Sequence, residues 1–316
     1  MEYGLVAAIG WGVSSVAATH AARRMGTLAA LLASQATGTV VLAAVLAALH
    51  PHLLAVPSTA VLGLAGAGIL SLLGWLTYYR ALEYGPVGIV SGTAATYGGI
   101  TALLAMVVLG EPPGRYGAIG VALAVAGVAA AAMHISARPK SASWLQAASS
   151  SSGPHLPGWP GSASGGRRPP WPGLLLALVS AATYGTGAFW LGMYAATAGW
   201  LVSALMVDII AVTVLLAALI CRQKRPHGGL GGTAWAVTAG LTEAAALVAF
   251  ARGGQAGQVA VTAAVSSTYP VIPLALGLLL FRERLSGLQV LGICVAVTGL
   301  TLVSMSTRLV LGLPAA

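Results

Sequence analysis

From Met25 to Tyr79 the chain runs for 55 residues without one Lys, Arg, Asp or Glu. A hydrocarbon core about 30 Å thick is crossed by roughly 20 apolar residues in helical form. The stretch therefore holds two spans, parted by His50-Pro51-His52 and Pro57. The remainder conforms: hydrophobic residues are 58% of the chain and charged residues 7%, against about 45–50% and roughly 25% in soluble domains. That excludes a water-soluble globule, and equally a disordered chain, which needs many charges and little apolar content. The net charge of +9 comes from basic residues placed between apolar runs rather than along one face, so it marks membrane loops and not a nucleic-acid surface. Two cysteines, Cys221 and Cys294, both in or beside apolar runs, support neither a disulfide framework nor a Cys-based zinc site.

Gly, Pro and charge clusters punctuate the chain into ten predicted spans, near 3–22, 27–49, 59–83, 87–109, 115–135, 172–196, 200–221, 231–252, 257–281 and 286–306. Residues 3–22 read as a retained span rather than a cleavable signal, because the basic pair Arg23-Arg24 follows the apolar run instead of preceding it. Helices satisfy every backbone polar group internally, whereas membrane strands would alternate apolar and polar residues, a pattern absent here. Between the fifth and sixth spans, residues 136–171 are rich in Ser, Gly, Pro and Ala and carry Arg138, Lys140, Arg167 and Arg168, the composition of a flexible linker. Five spans flank it on each side.

The two sides are copies of one another. Shifting the chain by 172 residues places Arg80 on Arg252, Gly85 on Gly257, Val87 on Val259 and Thr96-Tyr97 on Thr268-Tyr269. It also places Glu111 on Glu283, Gly120 on Gly292 and Gly127 on Gly299. Upstream, a shift of 173 sets Trp11-Gly12 on Tyr184-Gly185 and Gln35 on Asp208. Because five is odd, the second copy must enter the membrane in the opposite sense to the first. The expected architecture is thus an all-α integral membrane protein of ten transmembrane helices as two inverted five-helix repeats. The repeats occupy 1–135 and 172–306, with the linker at 136–171 and a tail at 307–316. Inverted repeats of this kind are the frame of secondary transporters, with the site near the midplane where the repeats meet.

The residues Arg80-Ala81-Leu82-Glu83-Tyr84-Gly85-Pro86-Val87, then Gly110-Glu111 and a Gly-rich fifth span, resemble the EamA repeat of the drug/metabolite transporter superfamily. Phe281-Arg282-Glu283-Arg284-Leu285-Ser286-Gly287-Leu288-Gln289 with Gly292 resembles the same motif in the second half, and Trp11-Gly12 fits the pattern of the first span. The resemblance covers nearly the whole chain apart from the linker. It implies a five-plus-five bundle moving small metabolites or drugs, often with protons or by exchange.

Glu243 falls near the middle of the eighth span. A carboxylate there costs on the order of 2.5–3.5 kcal/mol or more and usually faces the bundle interior or a cavity. Being harder to keep charged away from water, it is the expected proton-exchanging group. The bland alternative is a protonated carboxyl bonded to the next helix. The other half has Ser71 at this place. Asp208 and its mate Gln35 are polar at matching depth, either lining a shared site or hydrogen-bonding between helices. Tyr97 and Tyr269 are expected inside the fourth and ninth helices, where Gly98-Gly99 and Pro270 with Pro273 loosen the backbone beside a path or, equally, a packed core. Trp11, Tyr184 and Trp190 are candidate aromatic walls. Arg80 and Arg252 end their helices, where they snorkel toward the interface or touch substrate. Glu111 and Glu283 sit in short turns as structural residues beside Arg115, Arg282 and Arg284.

No catalytic, nucleotide-binding or metal-spaced motif appears, and His50-Pro51-His52 lacks further ligands. No enzyme activity, metal or cofactor is expected. The reading is a secondary active transporter of small metabolites or drugs, proton-coupled or exchanging, multi-pass in the cell (plasma) membrane. Its expected partners are a small-molecule substrate and the lipid bilayer, with no nucleic acid. A channel or a non-transporting membrane scaffold is the alternative. Of fifteen basic residues, twelve fall in the odd-numbered connections and three, Arg115, Arg252 and Arg308, on the other side. Basic loops stay in the cytoplasm, so this count places both termini outside, whereas the family resemblance implies cytoplasmic termini. The charge count is the reading taken here.

Overall fold

The computed structural model describes residues 1–49, 56–84, 93–110, 114–133, 171–221, 230–272, 287–288, 291–292, 294–296, 298–299 and 302. Nine helices have defined bounds among them: α1 Glu2–Met25, α2 Thr27–Leu49, α3 Ser58–Tyr84, α4 Tyr97–Val108, α5 Gly114–Met133, α6 Trp171–Ala198, α7 Trp200–Cys221, α8 Leu230–Gln255 and α9 Val259–Ser266. Residues 287–288, 291–292, 294–296, 298–299 and 302 are helical as well. Among the described residues, six helices are long and apolar enough to cross a bilayer, and two shorter apolar ones lie at Tyr97–Val108 and Tyr116–Gly127. The protein is an all-helical, multi-pass membrane protein. Trp171, assigned to the linker on composition, opens α6 instead. The rest of the linker, the Glu111 and Glu283 turns and His50-Pro51-His52 lie outside the described residues.

The shift found in the sequence recurs as local geometry. A single residue joins α1 to α2, Gly26, and a single residue joins α6 to α7, Gly199, and the two glycines are 173 positions apart. Both take positive φ, 83° and 81°, the left-handed region that glycine enters without a Cβ penalty. Farther along, the fourth and ninth predicted spans are each interrupted at the matching place. Turns occupy 95–96 and 267–270, so Tyr97 is the first residue of α4 and Tyr269 lies in a turn. Neither is interior to a continuous helix, contrary to the expectation from sequence. The cause is local competition for the backbone: Thr96 Oγ1 donates to Thr93 O at 2.6 Å and Thr268 Oγ1 to Val265 O at 2.7 Å. From Thr268 to Ile272 amides then bond three residues back rather than four, and Pro270 has no N–H to offer.

The most extensive helix packing joins the halves, α1 against α8 and α3 against α6. Glycines set the approach. Gly63, Gly66 and Gly74 on α3 meet Tyr194, Trp190 and Tyr184 of α6 in reverse order, so these helices run antiparallel. On α1 and α8, Gly10 meets Ala246, His20 stacks on Trp235 and Arg24 reaches Gly231, again antiparallel. A methyl on Gly127 would strike Gly292 and Ala296, and one on Gly299 would strike Gly120 and Ala124. That reciprocal pair is what two matching helices make when they cross antiparallel.

Candidate functional site

Two of the six carboxylic side chains lie deep in spans, Asp208 on α7 and Glu243 on α8. Both line one internal chamber. The backbone brings them there through small residues. Gly240 lets the Ser34 carbonyl and Thr37 of α2 press against α8, and Gly38 lies against the Asp208 carboxylate. One turn before Gly38, Gln35 Nε2 donates to Glu243 Oε1 at 3.0 Å. Asp208 is 4% exposed, and no described residue donates a hydrogen bond to it. Ser71 of α3 completes the polar set. Gln35 and Glu243 form a hydrogen-bonded couple, and their repeat mates Asp208 and Ser71 line the same chamber.

Trp11, Trp75, Tyr184 and Phe250 wall this chamber. Trp11, Trp75 and Tyr184 are shared with a second chamber that continues to Tyr78, Tyr97 and Tyr269. Tyr184 meets its neighbours edge to face, a preferred arrangement of aromatic pairs, while Trp11–Phe250 and Tyr97–Tyr269 are tilted. Tyr184 lies 4.9 Å from Tyr97 at 89°, 6.2 Å from Trp11 at 73° and 5.9 Å from Trp75 at 81°. Tyr97 is further held through its hydroxyl by Ser266 Oγ at 3.1 Å. Among the described lining residues there is no Lys, Arg or His. The free space of this chamber, about 30 Å³, is room for about two water molecules.

The structure thus gathers Glu243, Asp208, Gln35, Trp11, Tyr184, Tyr97 and Tyr269 around two connected chambers. It leaves others out. Arg252 is exposed, with its guanidinium 4.3 Å from the Trp200 ring centre, and exposed Arg80 stands near the end of α3. Neither lines a chamber. Trp190, expected as a wall, packs on Gly66. Sequence reasoning misses several liners: Ser71 enters it only as the mate of Glu243, and Trp75, Tyr78, Ser180 and Phe250 do not enter it. The signal for Trp75 and Phe250 is helical spacing, since Trp75 follows Ser71 by four residues and Phe250 follows Glu243 by seven. Among the described residues no three of His, Cys, Asp and Glu come together.

The EamA-like transporter family matches residues 2–133 and again 171–305. No curated protein matches the chain. Among solved structures 26 chains match. One of them, described only as a crystal structure of a protein, is 18% identical over 97% of each chain with a TM-score of 0.70. At that identity the likeness speaks to the fold alone.

Proposed function

The chain belongs to the EamA-like transporter family, whose members carry small solutes across membranes, and from that premise we propose that it is a secondary active carrier working by alternating access. The proposed frame is ten helices in two inverted repeats, 1–135 and 172–306, joined by the 136–171 linker. Its support is the geometry repeated at 172–173 residues, the antiparallel packing of α1 on α8 and α3 on α6, and the reciprocal contact of Gly127 and Gly299. Each of those packed pairs takes one helix from each half. The lobes that rock are therefore mixed, one built on α1 and α8 and the other on α3 and α6.

One observation carries the reading. A narrow chamber lined by two carboxyl groups lies among the spanning helices, with residues of both halves in its wall and space for about two waters. In the proposed cycle a solute enters as the lobes part. Glu243 is the proposed coupling group. Facing it are Gln35 from α2, Asp208 from α7, Ser71 from α3, Tyr184 from α6 and Trp11 from α1, with no basic side chain among the described liners. A site neutralised by protons on one side of the membrane and by solute on the other is the arrangement that couples the two flows. The membrane is proposed to be the plasma membrane.

The test is transport by the purified chain in proteoliposomes. A carrier takes up solute saturably and against its gradient when a proton gradient is imposed. Flux that rises without saturation identifies a channel, and no flux for any solute class identifies a scaffold.

A further inference from the structure

The two chambers differ in chemistry, and together they define a substrate class; this rests on the carrier reading above. The inner chamber presents Asp208 and Glu243 with no basic side chain lining it among the described residues. Gln35 has already given an amide hydrogen to Glu243. Asp208, buried and bordering the free space, receives none. A buried carboxyl that lacks a donor from the protein takes up a proton or water when the site is empty, and is open to a donor or positive charge from a solute. An anion would meet two carboxyl groups and no basic side chain among the described liners, only neutral donors such as the Ser71 and Tyr184 hydroxyls and the Trp11 and Trp75 indoles. On the other side stand the faces and edges of Trp11, Trp75 and Tyr184, continuing to Tyr97 and Tyr269. Such rings attract cations through their electron-rich faces and hold apolar bodies by contact.

We propose that the substrate is an organic cation with an aromatic or apolar body. Its ammonium group sits at Asp208, and its body lies along Trp11, Trp75 and Tyr184 toward Tyr97 and Tyr269. Glu243, held by Gln35, keeps the proton-exchanging part.

The experiment measures binding by the full purified chain in nanodiscs, read from ligand-induced change in tryptophan fluorescence and from thermal shift. Three probes share one skeleton and differ in charge: phenethylammonium, 2-phenylethanol and phenylacetate. Phenethylammonium binds saturably, about tenfold or more tighter than either of the others, a difference of about 1.4 kcal/mol. Asp208→Asn weakens the cation on the order of thirtyfold or more and leaves the weak binding of 2-phenylethanol where it was, while Asp208→Glu restores part of the loss. A cation that binds no better than the alcohol, a preference for phenylacetate, or an Asp208→Asn protein with undiminished cation affinity overturns the proposal. Should Asp208→Asn fail to fold, the probe series on the unaltered chain decides alone. Cation binding without any uptake in proteoliposomes would sink the carrier reading and spare the substrate class. Saturable uptake of an uncharged or anionic solute, with no phenethylammonium binding, would do the reverse.

Discussion

Asp208 and Glu243 face one chamber but do not hold the same position in it. Glu243 accepts the Gln35 amide at 3.0 Å, so its neutral and charged forms both keep a partner through a transport cycle. Glu243→Gln imitates a carrier whose coupling group never releases its proton. Accumulation driven by a pH gradient should vanish while exchange of labelled for unlabelled solute persists; a variant that still accumulates normally removes the coupling role. Among the described residues Asp208 has no such partner, and on the proposed reading its loss bears on binding in every step. Asp208→Asn should depress accumulation and exchange together, by about tenfold or more in initial rate, and a selective loss of one activity would contradict this. The depth of both acids was legible in the sequence, because hydrophobic runs count residues from each membrane face. Their meeting across one chamber was not, since 35 residues separate them along the chain while their helices α7 and α8 also turn about their own axes.

At the scale of helices, small residues decide where backbones touch. Membrane helices gain little from burying apolar surface against each other rather than lipid, so close van der Waals fit carries the association. Gly127 and Gly299 are the reciprocal example, each against the backbone of the other half. Gly127→Val and Gly299→Val should each lower the detergent-solubilised protein's stability by about 1–3 kcal/mol, seen as a reduced Tm. Gly287, exposed and with no neighbour near its missing Cβ, should tolerate Ala with little change. Equal tolerance at all three sites would dismiss the close-contact account. The interruptions at 95–96 and 267–270 were only half legible. Gly98-Gly99 and Pro270 announce a weak helix, but the threonine hydroxyls that bond Thr93 O and Val265 O put the break one turn earlier.

For the whole molecule, orientation follows from charge rather than from packing. Twelve basic residues lie on the side of the odd-numbered predicted connections and three on the other, which predicts the linker in the cytoplasm and the termini outside. A reporter enzyme active only outside the membrane, inserted at Ser150, should stay silent in cells; bright signal there reverses the assignment and agrees with the family's cytoplasmic termini. The same whole-molecule view bears on the proposed moving parts: α1 packs on α8 and α3 on α6, so lobes built on these packed pairs would each draw on both halves.

The amino-acid sequence by itself determined that this chain lives in a bilayer, where seven of its described helices begin and end to within a few residues, and that its halves share a repeated pattern. Those properties are one-dimensional: span length, the absence of charge and the 172-residue shift are all read along the chain. Gln35, Ser71, Asp208 and Glu243 became a site only in three dimensions. Gly38 and Gly240 remove the side chains that would hold α2 away from α7 and α8, and the antiparallel pairing of α1 with α8 and α3 with α6 sets which faces look inward. Lipid tails solvate an apolar face as well as a neighbouring helix does, so hydropathy leaves each helix free to turn about its axis. Close steric fit at the glycines, and the need of a buried carboxyl for a partner, choose one rotation and thereby the chamber.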